Sequence, residues 1–452
     1  MTQNILFLVI DSLRYDKCFG EKKSSITPNI DSLIQTGTIF TNAICHVGST
    51  GSSLASMFTA LFPSKTGMSS ESYQKLNPNV KSFIHFLQEN NYNTHAASPP
   101  TIDALGLVDD FENKNSNYDN YESIFSGLGD RIIESFKLKK MKDPWFFYYH
   151  INDLHKPIIV PKDVDKSKFG DNNYEKMISA LDIWIGKILK TIDLENTIVV
   201  LTSDHGDYLS TLSKEKNLNF ESNSTEQLLW KLGNRIPVFM RPLKIKIANF
   251  IRNQRSSKKE SKLKDLSLST YEKRMILNSR MGPGHHMYDD IVHVPLIIAN
   301  KKTKSKPISQ QVRHVDIFPT LFEILDLKIH HKVDGTSLLP LINNENFDEL
   351  PAYIESPPTI EKSQPKMIGI RTSKYKYIRS LSEPASDIEL YDLKNDPLEE
   401  FNIANSSSEI VSKYDKILVD LRKNSISETN SNKNSQKEND EIENELRKMG
   451  YL

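Results

Sequence analysis

Two short, wholly apolar runs, each ending in an aspartate, constrain this chain more than any other feature. Ile198–Leu201 is β-branched and uninterrupted, the pattern of a strand buried on both faces of a parallel sheet. It leads within one residue into Ser203-Asp204-His205-Gly206-Asp207. Ile5–Ile10 repeats the pattern and stops at Asp11-Ser12-Leu13-Arg14-Tyr15-Asp16. Ligands of open α/β sheets bind beyond the carboxyl ends of the strands. Asp11 and the Asp204-His205 pair are therefore predicted to meet at one sheet edge. Two carboxylates and a neutral imidazole form a donor set for a divalent metal. The alternative is that Asp11 and Asp204 cap the helices that follow them.

The rest of the chain continues the rhythm. Pro28 sits where a helix opens, Ile39-Phe40 begins an extended piece, and Val80–Asn90 reads as an amphipathic helix. Further strands are expected at Asn93–Ala97 and Pro144–Tyr149. A helix over Tyr174–Ile192 precedes the central strand, and another covers Asp316–Leu325. Alternating strands and helices predict an α/β fold, a large central, mostly parallel sheet flanked by helices. From about 208 to 281 the rhythm fails. Residues 211–280 hold 16 Lys and Arg against 6 Asp and Glu, a local +10 that leaves the remainder near −10 in a chain of zero net charge. This stretch reads as a basic insertion whose apolar-basic core, Leu228–Ile251, is either an ordinary lid or a peripheral membrane contact. Residues 346–423 are expected to form a small C-terminal subdomain, with an antiparallel hairpin from Met367–Ile378 and Glu389–Leu393 and a helix near 408–422. It follows a catalytic domain over 1–345. The polar tail 424–452 is expected to be partly disordered.

Zero net charge supplies no global field for nucleic acid. Two cysteines, Cys18 and Cys45, make no disulfide framework and fit a reducing compartment. No basic, cleavable leader precedes the first strand, and no apolar run is long enough to span a bilayer. The location expected is cytoplasmic.

Catalytic candidates follow from placement. Gly48-Ser49-Thr50-Gly51 opens an apolar helix whose start offers free amides and the positive end of its dipole to an anion. A hydroxyl at Ser49 or Thr50 is placed to bind a metal and attack, or Thr50 simply caps the helix. His155, after the Trp145–Tyr149 run, and His285 or His286, after a glycine, are candidates to protonate a leaving group or bind substrate oxygens.

Together these segments resemble the sulfatase family of the alkaline-phosphatase superfamily, from residue 3 to about 404. The resemblance is carried by Asn4–Asp16, Thr27–Asp31, Gly37–Ala43, Thr59–Pro63 with Gly67, and Ser203–Asp207. It continues through Gly284–Leu296, His314–Thr320, Asp334–Leu338, Lys374–Tyr377 and Glu389–Pro397, and closes on Glu445–Leu452. The family's nucleophile motif is Cys or Ser, any residue, Pro-Ser-Arg, then Ala-Ser and two apolar residues before Thr. Nine residues back from Thr59 is Thr50. Ser53, Ala55 and Ser56 keep the register, but Ser52 stands in place of Pro and Leu54 in place of Arg. Cys45 falls five residues too early.

The resemblance implies a hydrolase of sulfate or phosphate esters without formylglycine, attacking through Thr50. It implies one divalent ion (Mn, Zn, Ca or Mg) on Asp11, Thr50, Asp204 and His205. His155 and His285 would assist catalysis, with Arg14, Ser49, Lys65 and His286 binding substrate. Ser12 replaces the family's second aspartate and His205 its asparagine, a set similar to that of the phosphonate and phosphodiester hydrolases. The alternatives are a phosphodiesterase or a phosphoglycerol- or phosphoethanolamine-type transferase acting on a lipid or glycan, and a non-catalytic binding relative.

Overall fold

A computed structural model of the chain describes residues 3–71, 75–113, 123–209, 266–278, 284–300, 305–358 and 366–426. The 228–251 core of the insertion and the tail beyond 426 lie outside the described residues. The strands are β1 (Asn4–Ile10), β2 (Gly37–Ile44), β3 (Asn93–Ala97), β4 (Trp145–Ile151), β5 (Thr197–Thr202), β6 (His293–Ala299), β7 (Lys306–Ile308) and β8 (Val312–Arg313), then β9 (Ala352–Glu355), β10 (Met367–Arg371), β11 (Tyr375–Ser380) and β12 (Glu389–Asp392). The helices used below are α1 (Pro28–Gln35), α2 (Thr50–Thr59), α3 (Leu128–Lys137), α4 (Asn173–Leu189), α5 (Thr270–Leu277), α6 (Ile317–Ile324) and α7 (Ser408–Ile426).

The large sheet has the order β3-β4-β1-β5-β6-β2-β7, with β8 paired to β2. β3, β4, β1 and β5 are mutually parallel. β6 is antiparallel to both β5 and β2. Because β6 runs antiparallel to β5, β6 begins at the edge of the sheet where β5 ends. β1 and β5 occupy the centre, as their unbroken apolar character requires: all their residues are buried.

Side-chain alternation divides the strand residues between two cores. Ile5, Phe7 and Val9, with Phe146, Tyr148, Ile198 and Val200, pack against Leu54, Met57 and Phe58 of α2 and Phe318 and Leu321 of α6. Leu6, Leu8 and Ile10, with Phe147, Tyr149, Val199 and Leu201, face Ile178, Leu181 and Ile185 of α4 and residues of α1 and α3. The sheet is thereby covered on both faces, and α2 lies on the face to which Val9 and Val200 point. Among the described residues no helix is long and apolar enough to cross a membrane.

The second sheet is antiparallel, in the order β12-β11-β10-β9. The expected hairpin is therefore part of four strands. α7 covers them, contributing Tyr414 and Leu418 to a separate core with Tyr377 and Leu390. The fully buried Lys376 ammonium binds Asp289 and Glu399, each at 2.6 Å, and Arg371 joins Asp289 at 2.8 Å. These charges tie the second sheet to the Tyr288–Asp290 turn. Unpaired they would be costly to bury; here each meets opposite charges at close range.

Glu355, at the end of β9, is a buried carboxyl that accepts from the Ser70 amide and the Tyr353 hydroxyl, both at 2.7 Å. Burial pushes it up to about 7. The stability this contributes is full below the carboxyl's ordinary value of 4.5 and is lost as pH rises through about 7, because the unfolded chain ionises first. Glu355→Gln is expected to be nearly neutral near pH 4. Near pH 8 it should stabilise by on the order of 2–3 kcal/mol, read from urea midpoints. The same difference at both pH values would refute this assignment.

Candidate metal centre and active site

The parallel register brings the first and last segments of the site together. Val9 pairs with His150 on one side and Thr202 on the other. Two residues on, across the same edge, stand Asp11 and Asp204. The Asp11 amide continues the ladder by donating to Ile151 O at 2.9 Å. The Ser12 amide donates to Asp204 Oδ1 at 3.0 Å, joining the two loops directly. Ser12 takes a left-handed φ of 64° and its hydroxyl donates to Asp11 Oδ1.

Asp11, Asp204 and His205 are fully buried, with one ligand atom from each lying within 4.8 Å of the others. Neither aspartate caps a helix. The short helix after Asp11 begins only at Tyr15 with Arg14 as its N-cap, and no helix opens directly after Asp204. His205 Nδ1 lies 2.9 Å from Gly206 O. A carbonyl only accepts, so Nδ1 carries the proton and Nε2 presents its lone pair to the cluster. Asp204 Oδ2 is buried, has no hydrogen-bond donor among the described residues and lies 3.4 Å from His205 Nε2. Two buried carboxylates, one with an undonated oxygen, beside an imidazole lone pair lack a positive charge. The donor set fits a divalent cation.

Thr50 is the first residue of α2 and Ser49 its N-cap residue, without a side-chain cap. The helix-cap alternative for Thr50 therefore fails. Its Oγ1 points back into the cluster, 3.3 Å from His205 Nε2 and 3.5 Å from Asp11 Oδ2. Among the described residues Ser49 Oγ has no hydrogen-bond partner. The loops that carry Thr50 and His205 approach the 286–291 segment as closely as only glycine permits. A Cβ on Gly48 would lie 2.5 Å from Ile291 Cγ2, and one on Gly206 would lie 2.1 Å from Asp290 O. Cys45 is buried, its thiol directed at the Val47 and Ile291 carbonyls and pushed above its ordinary pKa by burial.

The remaining sequence candidates divide. His286 is buried, 3.4 Å from the Tyr208 hydroxyl through Nδ1, and its backbone lies against Gly48, next to the Thr50 loop. His285 accepts from the Met287 amide at Nδ1 and pairs with Glu389 of β12 at 3.3 Å through Nε2. The second sheet thus supplies a carboxylate to this histidine. His155 Nδ1 lies 2.9 Å from Lys156 O, on the loop that follows β4.

Arg14 is not presented to substrate. Its buried guanidinium is held by Asp16 and Asp290, each at 2.7 Å, and reaches Tyr271 of α5 at 3.3 Å. It fastens loops around the centre together. Lys65 is bound to Asp334 at 2.7 Å beyond the far end of α2. α2 is ten residues long with Thr50 as its first, so that end lies nine steps away, about 13.5 Å of rise.

Three contributors were not singled out from the sequence. His150 Nε2 lies 3.4 Å from Asp11 Oδ2. His314 is buried between Ser53 Oγ at 3.4 Å and Thr202 Oγ1 at 3.3 Å, and Ser53 Oγ donates to Asp204 O at 2.6 Å. Burial, with His46 and His205 nearby, lowers His314 to about 3, so it supports the Asp204 loop as a neutral ring. Lys156 binds Asp207 at 3.0 Å. The available signals were a histidine ending a buried strand and the His314-Val315-Asp316 segment; neither reveals its partner.

The sulfatase family model matches residues 3–327, and a model for the C-terminal part of N-sulphoglucosamine sulphohydrolase matches residues 283–426. Arylsulfatase K of Gallus gallus is 31% identical over 139 residues, 29% of this chain and 26% of that protein. A Delta 4,5-hexuronate-2-O-sulfatase of Bacteroides thetaiotaomicron is 30% identical over 141 residues, 30% of this chain and 28% of that protein. These matches span less than a third of either relative. Among solved structures, the phosphonate monoester hydrolase of Agrobacterium radiobacter superposes with a TM-score of 0.66 at 16% identity, covering 94% of this chain and 96% of that one. A 2-O GAG sulfatase does so with 0.66 at 17% identity, covering 94% and 93%. The fold is that of the alkaline-phosphatase-like ester hydrolases. Within that class the chain belongs to the sulfatase family, whose members are metal-dependent.

Proposed function

We propose that the chain is a single-metal hydrolase of sulfate or phosphate esters that forms its covalent intermediate on Thr50. The observation that carries this reading is the position of Thr50 Oγ1, between His205 Nε2 and Asp11 Oδ2 at the start of α2. Asp11, Asp204, His205 and Thr50 would hold the ion. When bound, it supplies a Lewis acid that lowers the pKa of a ligated hydroxyl and offsets charge on the ester oxygens. Two carboxylates with an imidazole suit manganese or zinc better than calcium.

Thr50 gives its hydroxyl proton to water, and its Oγ attacks sulfur or phosphorus in line as the bond to the alcohol oxygen breaks. The departing alkoxide takes a proton from His155 or His285, either acting in its imidazolium form. Water then attacks the same centre and releases Thr50 with sulfate or phosphate. The α2 start presents amides of its first turn, which have no intrahelical acceptor, to the equatorial oxygens. Ser49, with its unbonded hydroxyl, and His286 beside Gly48 flank that position as substrate contacts.

With Thr at the nucleophile position, the chain has no precursor there for formylglycine. A formylglycine hydrate expels sulfate by collapsing to an aldehyde, whereas a threonine ester is cut by water at the central atom. This difference favours phosphorus over sulfur and makes a phosphodiesterase or phosphoryl transferase the second reading. The sulfated-sugar relatives favour sulfate. Side-by-side turnover of nitrophenyl sulfate, nitrophenyl phosphate, a phenyl phosphonate and bis-nitrophenyl phosphate by the metal-loaded protein tests the proposal. Dominant turnover of the diester or phosphonate selects the second reading. No turnover of any ester, without stoichiometric metal, selects a non-catalytic binding relative.

A further inference from the structure

His150 occupies a strand position where the fold calls for an apolar side chain. On β4 it follows Phe146 and Tyr148 along the face that packs on α2, and it is fully buried beside Val9. A buried imidazole is costly unless its nitrogens are bonded, and both are engaged. Tyr148 Oη lies 2.8 Å from Nδ1, and Asp11 Oδ2 lies 3.4 Å from Nε2. The direction of each bond follows from chemistry. A carboxylate only accepts, so Nε2 carries the proton toward Asp11; Nδ1 is then the acceptor for the phenol's O–H. Ser12 donates to the other oxygen of Asp11.

We infer that His150 is a positioning residue of the metal centre, locked in one tautomer by Tyr148 and fixing the Asp11 carboxylate for the cation. The inference rests on the reading that Asp11, Asp204 and His205 hold a metal. Without the imidazole, Asp11 Oδ2 loses a donor and the carboxylate gains freedom that binding must remove. Partners of this kind, bonded to a ligand rather than to the metal, are typically worth 10–100-fold in metal affinity. Tyr148 acts one bond further out, so its loss should weaken binding in the same direction and by less.

The experiment is a chelator competition on the full chain, giving the dissociation constants of Mn²⁺ and Zn²⁺ for wild type, His150→Leu, His150→Gln and Tyr148→Phe. Thermal unfolding of each metal-free protein controls for folding. His150→Leu should weaken binding about 10–100-fold. His150→Gln, whose amide reaches the position of Nε2, should recover most of that loss. Tyr148→Phe should weaken binding severalfold with the metal-free unfolding temperature little changed. Wild-type affinity in both His150→Leu and Tyr148→Phe would overturn the inference. If His150→Leu does not fold, the Gln and Phe variants decide it: wild-type affinity in Tyr148→Phe, or a loss in His150→Gln as large as that of Asp204→Asn, would overturn it. Failure of the wild type itself to bind either ion would instead overturn the metal reading.

Discussion

Replacing Thr50 with alanine is expected to reduce kcat by at least about a thousandfold, the scale of losing a covalent nucleophile. The fold should be unaffected. Thr50 is the first residue of α2, where alanine is a good helix former. Among the described residues its hydroxyl makes only the long contacts to His205 and Asp11 given above, at 3.3 and 3.5 Å. Thr50→Ser keeps an oxygen at the same place and should recover much of the activity. Steady-state kinetics on the best ester of the substrate panel, with circular dichroism as the folding control, would check both variants. Retained turnover in the alanine variant would move the nucleophile to Ser49 or to water.

Metal removal should have an effect of similar size. Dialysis against a chelator should abolish turnover, and one equivalent of Mn²⁺ or Zn²⁺ per chain should restore it. Binding to the folded state alone also raises stability, by about 2.7 kcal/mol at a hundredfold excess over the dissociation constant. The unfolding temperature should therefore climb with metal concentration. Asp204→Asn separates this effect from general damage. Its side chain is buried and Oδ2 has no donor among the described residues, so a neutral amide should stabilise the metal-free protein. The same substitution should erase the metal-induced rise. A metal-dependent shift that survives in Asp204→Asn would place the ion elsewhere.

Much of the frame was legible because burial on both faces of a sheet demands uninterrupted apolar runs. Ile5–Ile10 and Ile198–Leu201 are such runs, and they proved to be neighbouring central strands. The residues just after them, Asp11 and Asp204-His205, were for the same reason bound to emerge at one edge. Thr50 was reached only by counting through the resemblance from Thr59; the spacing alone left it between a cap and a nucleophile. The antiparallel β6 and the four-stranded extent of the second sheet were not read, since local pattern does not encode pairing partners.

Arg14 and Lys65 show the converse limit. Both lie in segments that resemble the family, and their charge suggested a grip on an anion. Each is instead held by acidic groups, Asp290 in one case and Asp334 in the other, hundreds of residues away in sequence. Whether a cation meets substrate or a carboxylate depends on which loops the fold apposes. His150 belongs to the same class: its neighbour across the strand pair, and so its bond to Asp11, is a matter of register.

The sequence by itself determined which residues of this protein could form the centre, because strand burial and the chemistry of aspartate, histidine and threonine are local properties. Only the tertiary structure decided which of them share one cation-sized space, and which charges are spent holding loops together. Pairing, register and the approach of α2 to the sheet are set by contacts between segments far apart in the chain.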